Sequence, residues 1–176
     1  MKMGASNFYD YFEAFGMTQK TGIDLPGEAN NKTLFYDKEA LTKTPSNLAV
    51  ESFGQRFQVT PIQMITMVSA IVDDGNLKTP HMVRQILNSD GSVRETIAQE
   101  IKRQVISAET SAFMREAMEA VVSEGTGKNA YVAGYRVGGK TATSEILKRK
   151  TDEEDRYTAS FIGVAPMDDP QIAVLV

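Results

Sequence analysis

Apolar positions recur along this chain with two different periods. Phe8, Tyr11, Phe12 and Phe15 lie three and four residues apart, which predicts a short helix with an aromatic face, capped by Ser6 or Asn7 and stopped at Gly16. An aromatic stripe of this kind is expected to pack into a core. The run TGIDLPGEANN then breaks the period. Pro26-Gly27 reads as a turn, so Asp24 and Glu28 are turn residues in this reading rather than a working carboxylate pair. A second helix starts at Thr60-Pro61, a cap followed by proline in the first turn. It carries Ile62, Ile65, Met67, Val68, Ile71 and Val72 and stops near Gly75, its methionines filling gaps in the core. Ser107 caps a third helix with Phe113, Met114, Ala117, Val121 and Val122 on its apolar face, ended by Gly125.

Elsewhere the period is that of strands. HMVRQILNSDGSVRET reads as two extended segments around an Asp90-Gly91 turn. His81, the only histidine, is expected to be structural or exposed there. The last third reads as three strands at about 137–147, 157–165 and 171–176. The charged link KRKTDEEDR is expected to be a solvated hairpin tip, and PMDDP a tight turn. Short links between sequential strands favour an antiparallel meander. The fold class is therefore α/β in composition (α+β), an antiparallel sheet flanked by helices.

Composition narrows the function more by exclusion than by suggestion. At 176 residues one domain is expected. The absence of cysteine excludes a disulfide scaffold, a cysteine-ligated zinc and a thiol nucleophile. A net charge of −4 provides no basic footprint for nucleic acid. No apolar run reaches the roughly 18–20 residues of a membrane helix, and MKMGASNFYDYF has no signal-peptide core. An amphipathic pattern begins almost at once and QIAVLV ends the chain in an apolar run, so the sequence is expected to be part of a longer protein.

One stretch carries candidate chemistry, GYRVGGKTATSE at 134–145. Gly134, Gly139, Lys140 and Thr141 match the phosphate-loop pattern G-x-x-x-x-G-K-[ST]. A phosphate loop needs a buried strand before it and a helix after it, so that backbone N–H groups and the helix dipole meet the anion. Here NAYVA is a short strand candidate, TSEILKRK is a brief helix candidate, and no apolar run ending in Asp follows to hold magnesium. Nucleotide binding is the weaker reading.

The segments FYDYFEAFGMTQKTGIDLPGE, LAVESFGQRFQVTPIQMITMVSAIVDDG, EGTGKNAYVAGYRVGGKTATSE and YTASFIGVAPMDDPQIAVLV together support another. In order and spacing the chain resembles the C-terminal part of the transpeptidase domain of class B penicillin-binding proteins, especially the stage V sporulation protein D-like group. The resemblance covers nearly all of 1–176. That family uses a serine in S-x-x-K, a second motif S-x-N, and a K-T-G strand. Only the third has a counterpart here, as Lys140-Thr141-Ala142-Thr143, with Ala142 where the family usually has Gly. An added methyl there is expected to crowd the helix carrying the nucleophile or be absorbed by a small shift.

The resemblance implies specific roles. Lys140 supplies positive charge near the serine of the second motif. The hydroxyls of Thr141 and Thr143, with Gly139 beside them, meet the carboxylate of a terminal D-Ala or of a β-lactam. The Thr143 backbone N–H is one donor of the oxyanion hole. No metal or organic cofactor is implied. The partners implied are acyl-D-Ala-D-Ala stem peptides of peptidoglycan and β-lactams. The parent would be membrane-anchored and act on the extracytoplasmic face of the bacterial cell membrane. The chain alone is expected to be inactive and to self-associate through exposed edges. The alternative within the resemblance is a non-catalytic module that binds wall peptides or division partners.

Overall fold

The computed structural model describes residues 3–29, 35–146 and 156–176. The link predicted as a charged hairpin tip lies, up to residue 155, outside the described residues, as does Leu147.

Helix α1 spans Ala5–Ala14. It starts earlier than Ser6 or Asn7 would allow as caps. Gly4 occupies the cap position without a side-chain bond, while Ser6 Oγ and the Asn7 amide bond to Asp10 and the Met3 carbonyl inside the first turns. The aromatic stripe packs only in part. Phe12 meets Phe35 and Phe57 edge-on, with ring centroids 5.7 and 5.2 Å apart, and Phe8 lies against Phe12, but Tyr11 is exposed. Two short helices follow, α2 at Lys38–Lys43 and α3 at Pro45–Glu51.

Helix α4, Pro61–Val72, begins as its sequence predicts. Thr60 accepts from the Gln63 N–H at 3.2 Å, and the Gln63 side chain accepts from the Thr60 N–H at 2.8 Å, a reciprocal capping box. The Gln63 amide also donates to the Met17 and Gln19 carbonyls, which ties the loop after α1 to α4. Strand β1, Asn76–Lys78, pairs antiparallel with β4, Ile101–Gln104; between them β2, Gln85–Leu87, and β3, Val93–Thr96, form the expected hairpin. His81 precedes that hairpin rather than opening a strand.

Helix α5, Ala108–Ser123, is capped by Ser107. Its buried face keeps Val122 of the predicted one but not Phe113. Phe113 is 67% exposed, and Ser111, Met118 and Val122 are the buried positions. The Ser111 hydroxyl donates to the Ile71 carbonyl at 2.6 Å, and Arg115 bonds the Val72 carbonyl, so polar clasps to the end of α4 set the rotation of α5.

The main sheet is the expected meander: β5 at Gly138–Ile146, β6 at Arg156–Ala165 and β7 at Ile172–Leu175, in the order β5-β6-β7. Helices α4 and α5 cover one face through a core of Val68, Val72, Met118, Ile162, Val164 and Met167.

Candidate active-site edge

Strand β5 is the edge of the sheet among the described residues, and its register fixes what that edge offers. Lys140 stands opposite Ile162, Thr141 opposite Phe161 and Thr143 opposite Ala159, with no bulge. Phe161 exchanges both backbone hydrogen bonds with Val176 on the far side of β6. Backbone groups of an antiparallel strand alternate in direction, so Ser160 and Ile162 turn toward β5. Their partners Ala142 and Lys140 use their N–H and C=O groups in the ladder. Gly139, Thr141 and Thr143 then present theirs to the open edge. This alternation puts the Thr143 N–H where a ligand can meet it.

The strand carries Lys140 and Ala142 on the helix-covered face, with Ile162, and Thr141 and Thr143 on the other. The Lys140 ammonium reaches back to the edge and donates to the Thr141 carbonyl at 2.6 Å. Lys140 and Thr143 are exposed and Thr141 is half-buried. Gly138 and Gly139 are buried, and a side chain at either would force a neighbour to move. A Cβ on Gly138 would come within 2.5 Å of the Met167 sulfur, and one on Gly139 within 2.4 Å of Phe161 Cζ.

Two fixtures hold this edge in place. Arg136, just before β5, forks onto Glu119 of α5 with contacts of 2.9 and 2.6 Å. The hydrogen bond from Arg136, with its charge, holds the Glu119 carboxyl below its ordinary range despite some burial, and the arginine is raised in turn. The Arg136 carbonyl accepts from the Met167 N–H, which anchors the start of β5 to the turn between β6 and β7. The second fixture is Thr126, whose hydroxyl lies 2.9 Å from that of Thr141. Sequence reasoning missed both residues, although Thr126 stands in a Gly-Thr-Gly directly after a helix, which is a readable turn.

The phosphate-loop reading fails on this geometry. Lys140 lies inside a nine-residue strand rather than at a helix start, and TSEILKRK continues that strand as far as Ile146. NAYVA, the supposed preceding strand, is a 3₁₀ turn at Lys128–Ala130 followed by coil. Among the described residues no group of three His, Asp or Glu side chains could hold a metal. A cavity of about 440 Å³ lies between α4, β1 and β7, but none of the predicted site residues line it. The candidate site is an open wall.

Asp24 and Glu28 are structural, as the turn reading has it. Asp24 accepts the Met82 and Val83 N–H groups at 2.7 and 2.9 Å, and these bonds hold its carboxyl below the usual range. Glu28 accepts the Thr21 hydroxyl and N–H and the Gly22 N–H.

A helix-backed antiparallel sheet with a Lys-Thr-x-Thr edge strand defines a class, the penicillin-binding and serine β-lactamase-like fold. The family model for the penicillin binding protein transpeptidase domain matches residues 1–176, and the chain belongs to that family. It is 43% identical to stage V sporulation protein D of Bacillus subtilis over 99% of its own length and 27% of that protein's. Among solved structures, the D,D-transpeptidase domain of a peptidoglycan glycosyltransferase from Eggerthella lenta matches with a TM-score of 0.79 and 27% identity, over 99% of this chain and 43% of that one. Penicillin binding protein 3 from Mycobacterium tuberculosis, complexed with aztreonam, matches at 0.83 and 30% identity, over 96% and 39%. The chain thus spans about a quarter of the length of its curated relative.

Proposed function

We propose that this chain forms the Lys-Thr-Ala-Thr wall of a peptidoglycan D,D-transpeptidase, whose acylated serine lies in sequence outside these 176 residues. The observation that supports this best is the register of β5, which turns the Thr141 and Thr143 backbone groups to an open edge beside an exposed lysine. The serine attacks the penultimate D-Ala carbonyl of a stem peptide. The terminal D-Ala leaves with a proton, and the amine of a second stem peptide then takes the acyl group and frees the serine. The Thr143 N–H stabilises the oxyanion, a role worth about 3–4 kcal/mol per donor. The Thr141 and Thr143 hydroxyls, with Gly139 beside them on the strand, bind the substrate carboxylate by charge-assisted bonds. Lys140 adds positive charge to the same site. A β-lactam occupies it as an acyl-donor mimic and remains on the serine.

The complete protein is anchored to the membrane and works on its extracytoplasmic face in this reading. No described helix of this chain is itself long and apolar enough to cross a membrane. The 176 residues alone bind no penicillin covalently, since no serine here has lysine three positions on. Alone they also pair copy to copy through β7, whose Ile172, Val174 and neighbouring Val176 are exposed.

Labelling with a fluorescent penicillin tests the assignment. The complete protein carries one label, on a serine outside 1–176, and the chain alone carries none. A label on the chain alone, or none on the complete protein, contradicts the reading; an unlabelled protein that still binds stem peptides would be a non-catalytic relative.

A further inference from the structure

Thr126 sits in a turn whose two glycines leave it little freedom. A Cβ on Gly125 would lie 2.9 Å from the Val121 carbonyl oxygen, and one on Gly127 3.1 Å from the same atom. The Gly127 N–H donates to that oxygen at 2.9 Å. The chain therefore closes tightly over the last carbonyls of α5. Thr126, between the glycines, is presented to β5 while remaining exposed, its Oγ1 2.9 Å from Thr141 Oγ1.

Two hydroxyls that share one hydrogen bond use one of their two protons on each other. The other proton is left for a third partner. The Lys140 ammonium bonds the carbonyl of the same Thr141, so a cation and the hydroxyl pair meet at one residue of the strand. An anion satisfies both. We propose that Thr126 is a positioning residue: it locks the Thr126–Thr141 hydroxyl pair so that its remaining O–H is donated to the carboxylate of the bound acyl donor. This rests on the reading of β5 as a transpeptidase wall. The hydroxyl pair acts as one donor, in which Thr126 sets direction and Thr141 supplies the place on the strand.

The test uses the complete transpeptidase that carries this chain, with Thr126→Val, Thr126→Ser, Thr141→Val and the Thr126→Val/Thr141→Val double variant. Acylation rates are measured with benzylpenicillin and with its methyl ester, which lacks the carboxylate. Loss of a hydrogen bond to a charged group predicts a fall of about tenfold for Thr126→Val with benzylpenicillin. The ester changes by no more than about threefold, because a bond to a neutral acceptor is about half as strong. Thr126→Ser stays near wild type, and the double variant is no slower than Thr141→Val alone. Equal losses on both compounds, no loss on benzylpenicillin, or additive losses in the double variant overturn the proposal. A wild-type protein that takes no acyl group from either compound instead overturns the transpeptidase reading beneath it.

Discussion

Gly139 and Phe161 approach so closely across the β5–β6 pair that a Cβ on the glycine would lie 2.4 Å from the ring and 2.5 Å from the neighbouring Ile162 carbonyl oxygen. The second contact is with backbone, which yields less readily than a side chain. Gly139→Ala therefore has to move β5 or β6 to be accommodated. Overpacking of this kind costs about 1–3 kcal/mol. The expected outcome is a melting temperature several degrees lower. An unchanged melting curve would show that the strands do not approach as described.

The start of α4 provides a second test. The Thr60 hydroxyl accepts the Gln63 N–H, and Gln63 is almost fully buried. Thr60→Ala removes one half of the capping box and is expected to cost about 1 kcal/mol in urea unfolding. Thr60→Ser, which keeps the acceptor, is expected to recover most of it. Equal losses in the two variants would move the cause from the cap to the lost methyl.

Much of this was legible because it rested on strong local signals. Thr60-Pro61, Ser107 and Asp90-Gly91 each marked an element boundary that the structure keeps. The short spacing of the last three apolar runs similarly announced the β5-β6-β7 meander. The misses share a cause. Strands β1 and β4 have three and four residues and pair across a long sequence separation, so neither displays a period of its own. Helices α2 and α3 are one to two turns long. The exposure of Phe113 depends on the Ser111–Ile71 bond, a tertiary contact that hydrophobic spacing along α5 cannot announce. At the site, Lys140 and its threonines were readable as a motif, but their division between ladder and open edge depends on the register with β6.

The clasp around Glu28 makes stability depend on pH. Burial opposes its ionisation, but the Thr21 hydroxyl and N–H and the Gly22 N–H together hold it below the ordinary carboxylate value of 4.5. A depressed carboxyl stabilises the fold fully above its unfolded pKa and loses that contribution as pH falls through the folded value. The melting temperatures of wild type and Glu28→Gln are thus expected to differ at pH 6, and the gap to narrow as pH falls toward 3. A gap of the same size at both pH values would show that the carboxylate's charge is irrelevant.

The open β7 edge predicts concentration-dependent association of the isolated chain. Exposed Ile172 and Val174 on a strand with unpaired backbone groups are a template for pairing. Sedimentation velocity over a hundredfold concentration range is expected to show a rising sedimentation coefficient. Val174→Lys, which puts a charge on that edge strand, is expected to flatten it. A monomeric profile throughout, with residues 171–176 protected from hydrogen exchange, would show that the chain closes its own core.

The central claim is that Lys140 lies on the wall of an acyl-transfer site. It is tested most directly by intact-mass spectrometry of the complete protein after brief exposure to benzylpenicillin, in wild type and Lys140→Met. Lys140 is exposed and, among the described residues, bonds only a neighbouring carbonyl, so the substitution is expected to leave the fold intact. The wild type is expected to gain one penicilloyl mass, and Lys140→Met to gain it at least about a hundredfold more slowly, the scale on which single electrostatic contacts to a transition state act. Equal rates of adduct formation in the two proteins would contradict the assignment.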